Sequence, residues 1–171
     1  MRYKFWLSLL SLVSVLLVLC LCSSAVRSDD DVVALINTER AERGLAPFQR
    51  DACLHSAAQR HSQDMADHGF CGHTGSDGST LADRIAAGGY RYYSAAETVA
   101  CGFGSPDSAL AAWMASEPHR QALMGSFYED IGCANVMGRW TCDLGTGSCT
   151  VPTDPTPLHP RVWLPLMTKR R

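Results

Sequence analysis

The cysteines restrict the fold of this chain more than any other feature. Two of the eight, Cys20 and Cys22, lie in an apolar leader, and six follow it. An even number of cysteines in an exported chain predicts disulfide bonds, although the sequence alone leaves several pairings open. A zinc site built from cysteines is the alternative, but no C-x-x-C pair supports it. The six are Cys53, Cys71, Cys101, Cys133, Cys142 and Cys149.

Residues 1–25 have the pattern of a secretory signal peptide. Arg2 and Lys4 give a positive start, residues 5–22 are almost continuously apolar, and small residues end the run. This pattern predicts cleavage after Ala25 and a secreted, extracellular protein. The alternative is an uncleaved leader that anchors the chain in a membrane, because the apolar run approaches the length of a spanning helix.

Length and charge narrow the class of protein. A chain of 171 residues with 46% apolar and 19% charged residues predicts one globular domain. Without Arg2 and Lys4 the chain has 13 basic residues (15 minus 2) against 17 acidic residues, a net charge of −4. Nucleic acid requires a concentrated basic face, so it is not an expected partner.

The composition changes after the predicted domain, residues 26–149. Residues 150–160 form a spacer rich in proline and threonine, which cannot pack a core. Residues 161–171 are apolar and then basic, and they are too few to span a bilayer. This tail can serve as an added strand, a sorting signal or a weak surface anchor, so membrane contact is expected only through the leader or the tail.

Two long helices are predicted before the middle of the chain. The first follows the acidic residues 29–31 and ends at Gly44. Asp51 caps the second, which runs to Gly69. His61 falls on the inner face of this second helix, at helical spacing from apolar residues, so we expect it to be hydrogen-bonded in or beside the core.

Shorter helices and a terminal hairpin follow. Ser79 or Thr80 is expected to cap one helix, Ser105-Pro106 to start another, and Pro118 to interrupt it. Residues 131–136 and 139–144 are predicted strands, joined at Met137-Gly138. That turn places Cys133 opposite Cys142 in a non-hydrogen-bonded pair, where side chains are closest, and predicts a disulfide between them.

A glycine-rich loop, residues 70–79, carries the first candidate for a functional site. Its His73 is followed by Glu97, the single charge of the apolar segment 95–103, whose composition favours a strand, and by His119 just after Pro118. A buried carboxylate without a partner costs several kcal/mol, so Glu97 is expected to be paired or to face a cleft. Two imidazoles and a carboxylate can form a metal or acid–base site.

Aromatic residues offer a possible lining for a cleft. Tyr90, Tyr92 and Tyr93 lie together in the sequence, and Phe103 follows. They can line an apolar pocket, or they can simply pack within a strand or loop.

A series of motifs runs in order through about residues 32 to 145. The positions are Leu35-Ile36-Asn37, Arg40, Gly44-Leu45, Pro47, Ala58, His61-Ser62, Met65-Ala66, His73 to Ser79, Asp83-Arg84-Ile85, Gly89-Tyr90, Glu97 to Ala100, Gly102, Trp113-Met114, Ser116, His119-Arg120 and Ile131-Gly132. Together they resemble the CAP superfamily (cysteine-rich secretory proteins, antigen 5 and pathogenesis-related proteins), and its bacterial SCP-like branch in particular.

The resemblance implies an α+β fold, a three-layer α-β-α sandwich with a short sheet and a C-terminal hairpin. It also implies a cleft lined by two histidines and two acids, and His73, Glu97 and His119 fall on three of these positions. Eukaryotic members have a glutamate at the position of Ser116. The neighbouring Glu117 is turned about 100° away on a regular helix. It can replace this acid in the cleft if Pro118 makes the helix irregular, or it can be solvated, and the second alternative is favoured.

Two classes of function fit these residues. In the first, the chain is an extracellular binding module for a lipid-like ligand, a cell-wall polymer or another protein, and His73 and His119 hold Zn²⁺ or another divalent metal. In the second, the same cleft is a metal-dependent peptidase or esterase in which Glu97 takes a proton from metal-bound water. Because the ligand set is small for a catalytic zinc, the binding module is favoured.

Overall fold

The computed structural model describes residues 29–150. The predictions for residues 1–25, for the spacer beyond Thr150 and for residues 161–171 lie outside this range. No helix within residues 29–150 combines the length and apolar character that a membrane crossing requires. The elements, in chain order, are α1 Asp29–Glu42, β1 Gln49–Arg50, α2 Ala52–His68, α3 Leu81–Ala87, β2 Tyr90–Cys101, α4 Pro106–Ala115, α5 Glu117–Met124, β3 Asp130–Val136 and β4 Arg139–Cys149.

Helices cover both faces of one mixed sheet. The strand order is β1-β3-β4-β2, with β1 parallel to β3 and the other pairs antiparallel. Helix α2 packs on β3 and β4 and is joined by α3, whereas α1 and α4 pack together on the other side with α5. The predicted α+β sandwich of three layers is confirmed.

Each helical layer encloses its own apolar core. Between the sheet and the α1–α4 layer, the core is built around Ile36, Trp113 and Trp140. Between the sheet and the α2–α3 layer, a smaller core contains Leu54 and Ile85. Burial of these side chains contributes the main favourable free energy of folding, roughly 25 cal/mol for each Å² of apolar surface removed from water.

The helix ends follow the local signals in the sequence. The Asp51 carboxylate accepts hydrogen bonds from the amides of Cys53 (2.8 Å) and Leu54 (2.9 Å), and Gly69 ends α2 in the left-handed conformation. Gly44 adopts the same conformation after α1. Thr80 caps α3 through a reciprocal bond with Asp83, so these predicted ends are confirmed.

The helical region around Pro118 is interrupted, as predicted. Ser105 caps α4, with Pro106 in its first turn. Ser116 then adopts an extended conformation between α4 and α5, and Pro118 occupies the first turn of α5. This break sets the direction of α5, the helix that carries His119.

The two longest strands extend beyond their predicted limits. Strand β2 begins at Tyr90 rather than at residue 95, and β4 continues past residue 144 to Cys149, where it pairs with Tyr90. Gly145 permits this pairing, because a Cβ atom there would lie 2.5 Å from Cε1 of the Tyr90 ring. The glycines near the end of β4 therefore accommodate a neighbour instead of ending the strand.

Tyr90 belongs to the core rather than to a cleft. Its side chain is buried, and its hydroxyl group donates a hydrogen bond to Oδ2 of Asp130 (2.5 Å). Burial and that hydrogen bond raise the pKa of Tyr90 well above its usual value. Of the two expectations for this tyrosine, packing within a strand is correct and cleft lining is wrong.

Three disulfides connect the elements: Cys53 with Cys149, Cys71 with Cys101, and Cys133 with Cys142. The last pair is the one expected from the hairpin. Met137 and Gly138 both have positive φ, as a tight two-residue hairpin turn requires, and the Cα atoms of the paired cysteines are 4.1 Å apart.

Gly132 lets α2 approach the sheet closely. A Cβ atom at this position would overlap the backbone of Leu54 and His55. We therefore expect Gly132→Ala to lower the free energy of unfolding by about 1–3 kcal/mol or more, because the helix must move away from β3. Guanidinium denaturation measures the change.

Gly104→Ala is the matched control for that prediction. A Cβ atom at Gly104 would meet no other atom within 4 Å and the φ of this residue is not positive, so alanine there is expected to leave stability unchanged or slightly raised. Equal stability of the two variants would show that α2 can move away from β3 at little cost in free energy.

Candidate functional site

The glycine-rich loop is fastened to its surroundings at several points. Nε2 of His61 donates a hydrogen bond to the Gly72 carbonyl oxygen (2.7 Å), and a disulfide joins Cys71 to Cys101 at the end of β2. Further along, the carboxylate of Asp64 accepts a hydrogen bond from the amide of Ser76 (2.8 Å). The loop therefore holds a defined position above the end of α2.

Arg84 joins this loop to the sheet. Its guanidinium group donates to the carbonyl oxygens of Ser79 (3.0 Å) and His73 (3.1 Å), and it forms an ion pair with Oε2 of Glu97 (2.5 Å). The side chain of Arg84 is 1% exposed. Sequence reasoning missed this role, since an arginine on a short helix is usually solvated, although Arg84 lies within a motif shared with the CAP superfamily.

His73 and Glu97 meet directly. Nδ1 of His73 donates a hydrogen bond to Oε1 of Glu97 (2.7 Å). The Glu97 side chain is 3% exposed, whereas that of His73 is 60% exposed. The expectation that Glu97 is paired is therefore correct, and the hydrogen bond through Nδ1 leaves Nε2 of His73 as the ring atom available to a ligand.

His119 lies close enough to His73 for their charges to interact. Burial lowers the pKa of His119, and the charge of His73 lowers it further. His119 is therefore neutral at pH 7 and can act as a ligand. Within residues 29–150, however, the ligand atoms of His73, Glu97 and His119 do not all lie within 4.8 Å of one another.

His61 supports the loop from below. The ring is fully buried, as predicted, and packs edge-to-face against Phe70. Burial lowers its pKa, so the ring is neutral and Nε2 carries the proton given to Gly72. Nε2 also lies 3.9 Å from Oε2 of Glu97, which places His61 beneath the site rather than in it.

Asp143 is a second carboxyl group beneath the site. It is fully buried in β4, directly across the strands from Glu97. Burial, followed by the charge of Glu97, raises the pKa of Asp143 well above its usual value. Sequence reasoning missed this residue, although the argument applied to Glu97, a single acid in an apolar segment, applies equally to Asp143.

Several predicted cleft residues occupy other environments. Glu117 is exposed on α5, where it pairs with Arg120 and accepts a hydrogen bond from Gln121, so it is solvated as expected. Ser116 serves as the junction between α4 and α5. Tyr92 lies toward the beginning of β2 and is 40% exposed, and Tyr93 is almost fully exposed. Phe103 packs against the core of the α1–α4 layer.

His73 offers one ring nitrogen in the setting that metal-bound histidines commonly have. His73 presents Nε2 while a buried carboxylate fixes its other nitrogen, an arrangement common for metal-bound histidines. The one three-residue cluster of ligand atoms in residues 29–150 is Asp51, Cys53 and Cys149, and its two cysteines are joined in a disulfide. Because its sulfurs are oxidised, that cluster offers no thiolate to a metal.

Comparisons with known proteins agree with this architecture. The sequence profile of the CAP family, described as the cysteine-rich secretory protein family, matches residues 33–144. The uncharacterized protein YkwD of Bacillus subtilis strain 168 is 34% identical over 114 residues, which are 67% of this chain and 44% of that protein. The chain therefore spans less than half the length of this relative.

Solved structures show the same fold. An extracellular protein containing an SCP domain from Bacillus anthracis superimposes with a TM-score of 0.66 at 26% identity, over 68% of this chain and 39% of that one. An outer surface protein of Borrelia burgdorferi superimposes with a TM-score of 0.61 at 19% identity, over 70% of this chain and 92% of that one. The second likeness is one of fold alone.

Proposed function

The chain belongs to the CAP family of cysteine-rich secretory proteins, and on that premise we propose that it is an extracellular binding module. In this proposal His73 and His119 hold a divalent metal, with Zn²⁺ as the first candidate, and the surrounding surface takes an apolar or cell-envelope ligand. The signal-peptide pattern of residues 1–25 and the extracellular SCP-domain relative from Bacillus anthracis support the location.

The hydrogen bond between His73 and the buried Glu97 carries the proposal. It fixes the tautomer of His73, because the proton on Nδ1 is held by Oε1 and the lone pair of Nε2 is left for a metal. His119, neutral at pH 7, supplies the second nitrogen. Imidazole nitrogen is a preferred ligand of Zn²⁺.

The burial of Glu97 favours binding over hydrolysis. A general base must reach the proton that it removes, directly or through one water molecule. Glu97 is 3% exposed, and its two oxygens already accept hydrogen bonds from His73 and Arg84. Its geometry suits the orientation of His73 better than proton transfer to and from a substrate in the cleft.

A cavity beside α5 suits the organic part of a ligand. It has a volume of about 500 Å³ and combines apolar side chains with two guanidinium groups. Phe127, at its edge, is 79% exposed. Because each arginine is already paired with a nearby glutamate, Arg43 with Glu39 and Arg120 with Glu117, the lining favours the apolar part of a cell-envelope ligand. The lining residues are Arg43, Arg120, Gln121, Met124, Gly125 and Phe127.

Calorimetric titration with Zn²⁺ tests the metal site. We expect binding of one ion at pH 7.5 and much weaker binding at pH 5.5, because protons compete for the imidazole nitrogens. With only two protein ligands, the ion should also be removed easily by a chelator. His119→Ala is expected to abolish binding.

His68→Ala serves as the control for this titration. His68 is exposed and pairs with Asp64 on α2, outside the site, so its loss should leave zinc binding intact. Binding that is equal at both pH values, or equal in the His119 variant, would refute the two-imidazole site. Hydrolysis of peptides or esters that disappears together with the metal would favour the enzyme instead.

A further inference from the structure

Asp143 and Glu97 form a pair of carboxyl groups buried together under the candidate site. They occupy directly paired positions on β4 and β2, so their side chains project side by side from the same face of the sheet. Asp143 is fully buried, and the Glu97 side chain is 3% exposed. Two ionised carboxylates in contact at such depth are strongly unfavourable, since their charges repel and neither is hydrated.

Within residues 29–150, the cation beside this pair is Arg84, which attracts both carboxyl groups but donates its hydrogen bond to Glu97. The two terminal nitrogens of Arg84, on α3, donate hydrogen bonds to Glu97 and to the carbonyl oxygens of Ser79 and His73. His61 on α2 is neutral and gives its proton to Gly72. On the other side of β4, the residue paired with Asp143 is Gly132, which has no side chain.

No donor satisfies Asp143. Within residues 29–150, neither oxygen of its carboxyl group receives a hydrogen bond. Two buried carboxyl oxygens without hydrogen-bond donors lower the stability of the folded protein, and an ionised carboxylate in that position lowers it far more. A proton on Asp143 removes both costs, because the carboxyl group becomes neutral and gains a donor that Glu97 can accept.

We propose that Asp143 is a positioning residue, which carries a proton at neutral pH and donates a hydrogen bond to the Glu97 carboxylate. Glu97 then accepts from three sides: from His73 in the loop, from Arg84 on α3 and from Asp143 in the sheet. This inference rests on the proposed function for its purpose, since the fixed Glu97 in turn orients His73 toward a metal.

Infrared spectroscopy of the metal-free protein tests the protonation directly. At pH 7.5 we expect the carbonyl stretch of a protonated carboxylic acid, which should vanish in Asp143→Asn. Asp67→Asn is the matched control, because Asp67 is an exposed acid on α2 that accepts from Gln63, and its replacement should leave the band unchanged. Absence of the band from the wild-type protein would overturn the proposal.

Stability as a function of pH gives a second, independent readout. Because the pKa of Asp143 is raised in the folded protein, folding takes up a proton above the ordinary pKa of aspartate, and wild-type stability falls as pH rises from that value. Asparagine needs no proton and still donates to Glu97. Asp143→Asn should therefore unfold at a higher denaturant concentration than wild type at pH 7.5, with the difference closing toward pH 4.

Zinc affinity distinguishes a role of Asp143 in positioning Glu97 from a role in packing alone. Asp143→Asn should keep wild-type affinity, whereas Asp143→Leu, which removes the donor, should weaken binding by about 10-fold or more, as expected for a group that orients a metal ligand indirectly. Loss of affinity in both variants would overturn the role of the hydrogen bond. If wild-type protein binds no zinc, the metal site fails, and the infrared band still decides the state of Asp143.

Discussion

Replacing Arg84 with methionine is expected to lower the free energy of unfolding by about 3–5 kcal/mol, the range found when one partner of a buried ion pair is removed. Methionine fills a similar volume but leaves the Glu97 carboxylate buried without its cation. The carbonyl oxygen of His73 also loses its bond from Arg84, and that of Ser79 keeps only the bond from the Gly75 amide, so the glycine-rich loop is held less firmly. Guanidinium denaturation at pH 7 measures the loss.

Arg60→Met is the matched control. Arg60 also pairs with an acid of this region, Asp77, but both side chains are more than half exposed. Exposed pairs contribute at most about 1 kcal/mol, so this variant should remain close to wild type. Similar losses in the two variants would mean that burial of the pair between Arg84 and Glu97 adds little to its strength.

Removal of the disulfide between Cys53 and Cys149 is expected to have an effect of comparable size. The two cysteines are separated by 96 residues, and the chain-entropy model gives about 4.7 kcal/mol for a loop of about 100 residues. Simultaneous replacement of both cysteines by alanine should therefore destabilise the domain by about 4–5 kcal/mol.

The double alanine variant of Cys133 and Cys142 is the comparison for that loss. Its disulfide closes a separation of only 9 residues, for which the same model gives less than the roughly 3 kcal/mol of a 15-residue loop. Denaturation of the two variants under oxidising conditions gives the difference. A larger loss of stability from removing the Cys133–Cys142 disulfide would show that packing around the sulfurs contributes more than the entropy of the unfolded chain.

The features that were predicted correctly depend on neighbouring residues along the chain. Asp51 reaches amides two and three residues ahead, and Gly69 needs only its own backbone conformation. The turn at Met137-Gly138 fixes the register of its hairpin and thereby the position opposite Cys133. The expectation for Glu97 rested on the cost of burying a charge, which holds whatever the partner is.

The features that were missed depend on contacts between distant segments. Arg84 becomes part of the site only because α3 packs beside β2, and nothing near it in the sequence indicates that pairing. Asp143 faces Glu97 through the register of β2 and β4, and Gly145 in the same register accommodates the ring of Tyr90. The sequence can indicate that a buried charged residue needs an interaction partner. Which residue serves as that partner is known only from the tertiary structure.

The bond between Cys53 and Cys149 also determines how the domain bears mechanical load. Cys149 is the last residue of β4, so tension applied through the chain beyond it passes into the covalent bond and enters α2 at its first turn. The hydrogen bonds of β4 are then never pulled apart one by one. The sequence separation of 96 between the two cysteines corresponds to roughly 320 Å of extended chain, which a pulling force cannot release while the bond is intact.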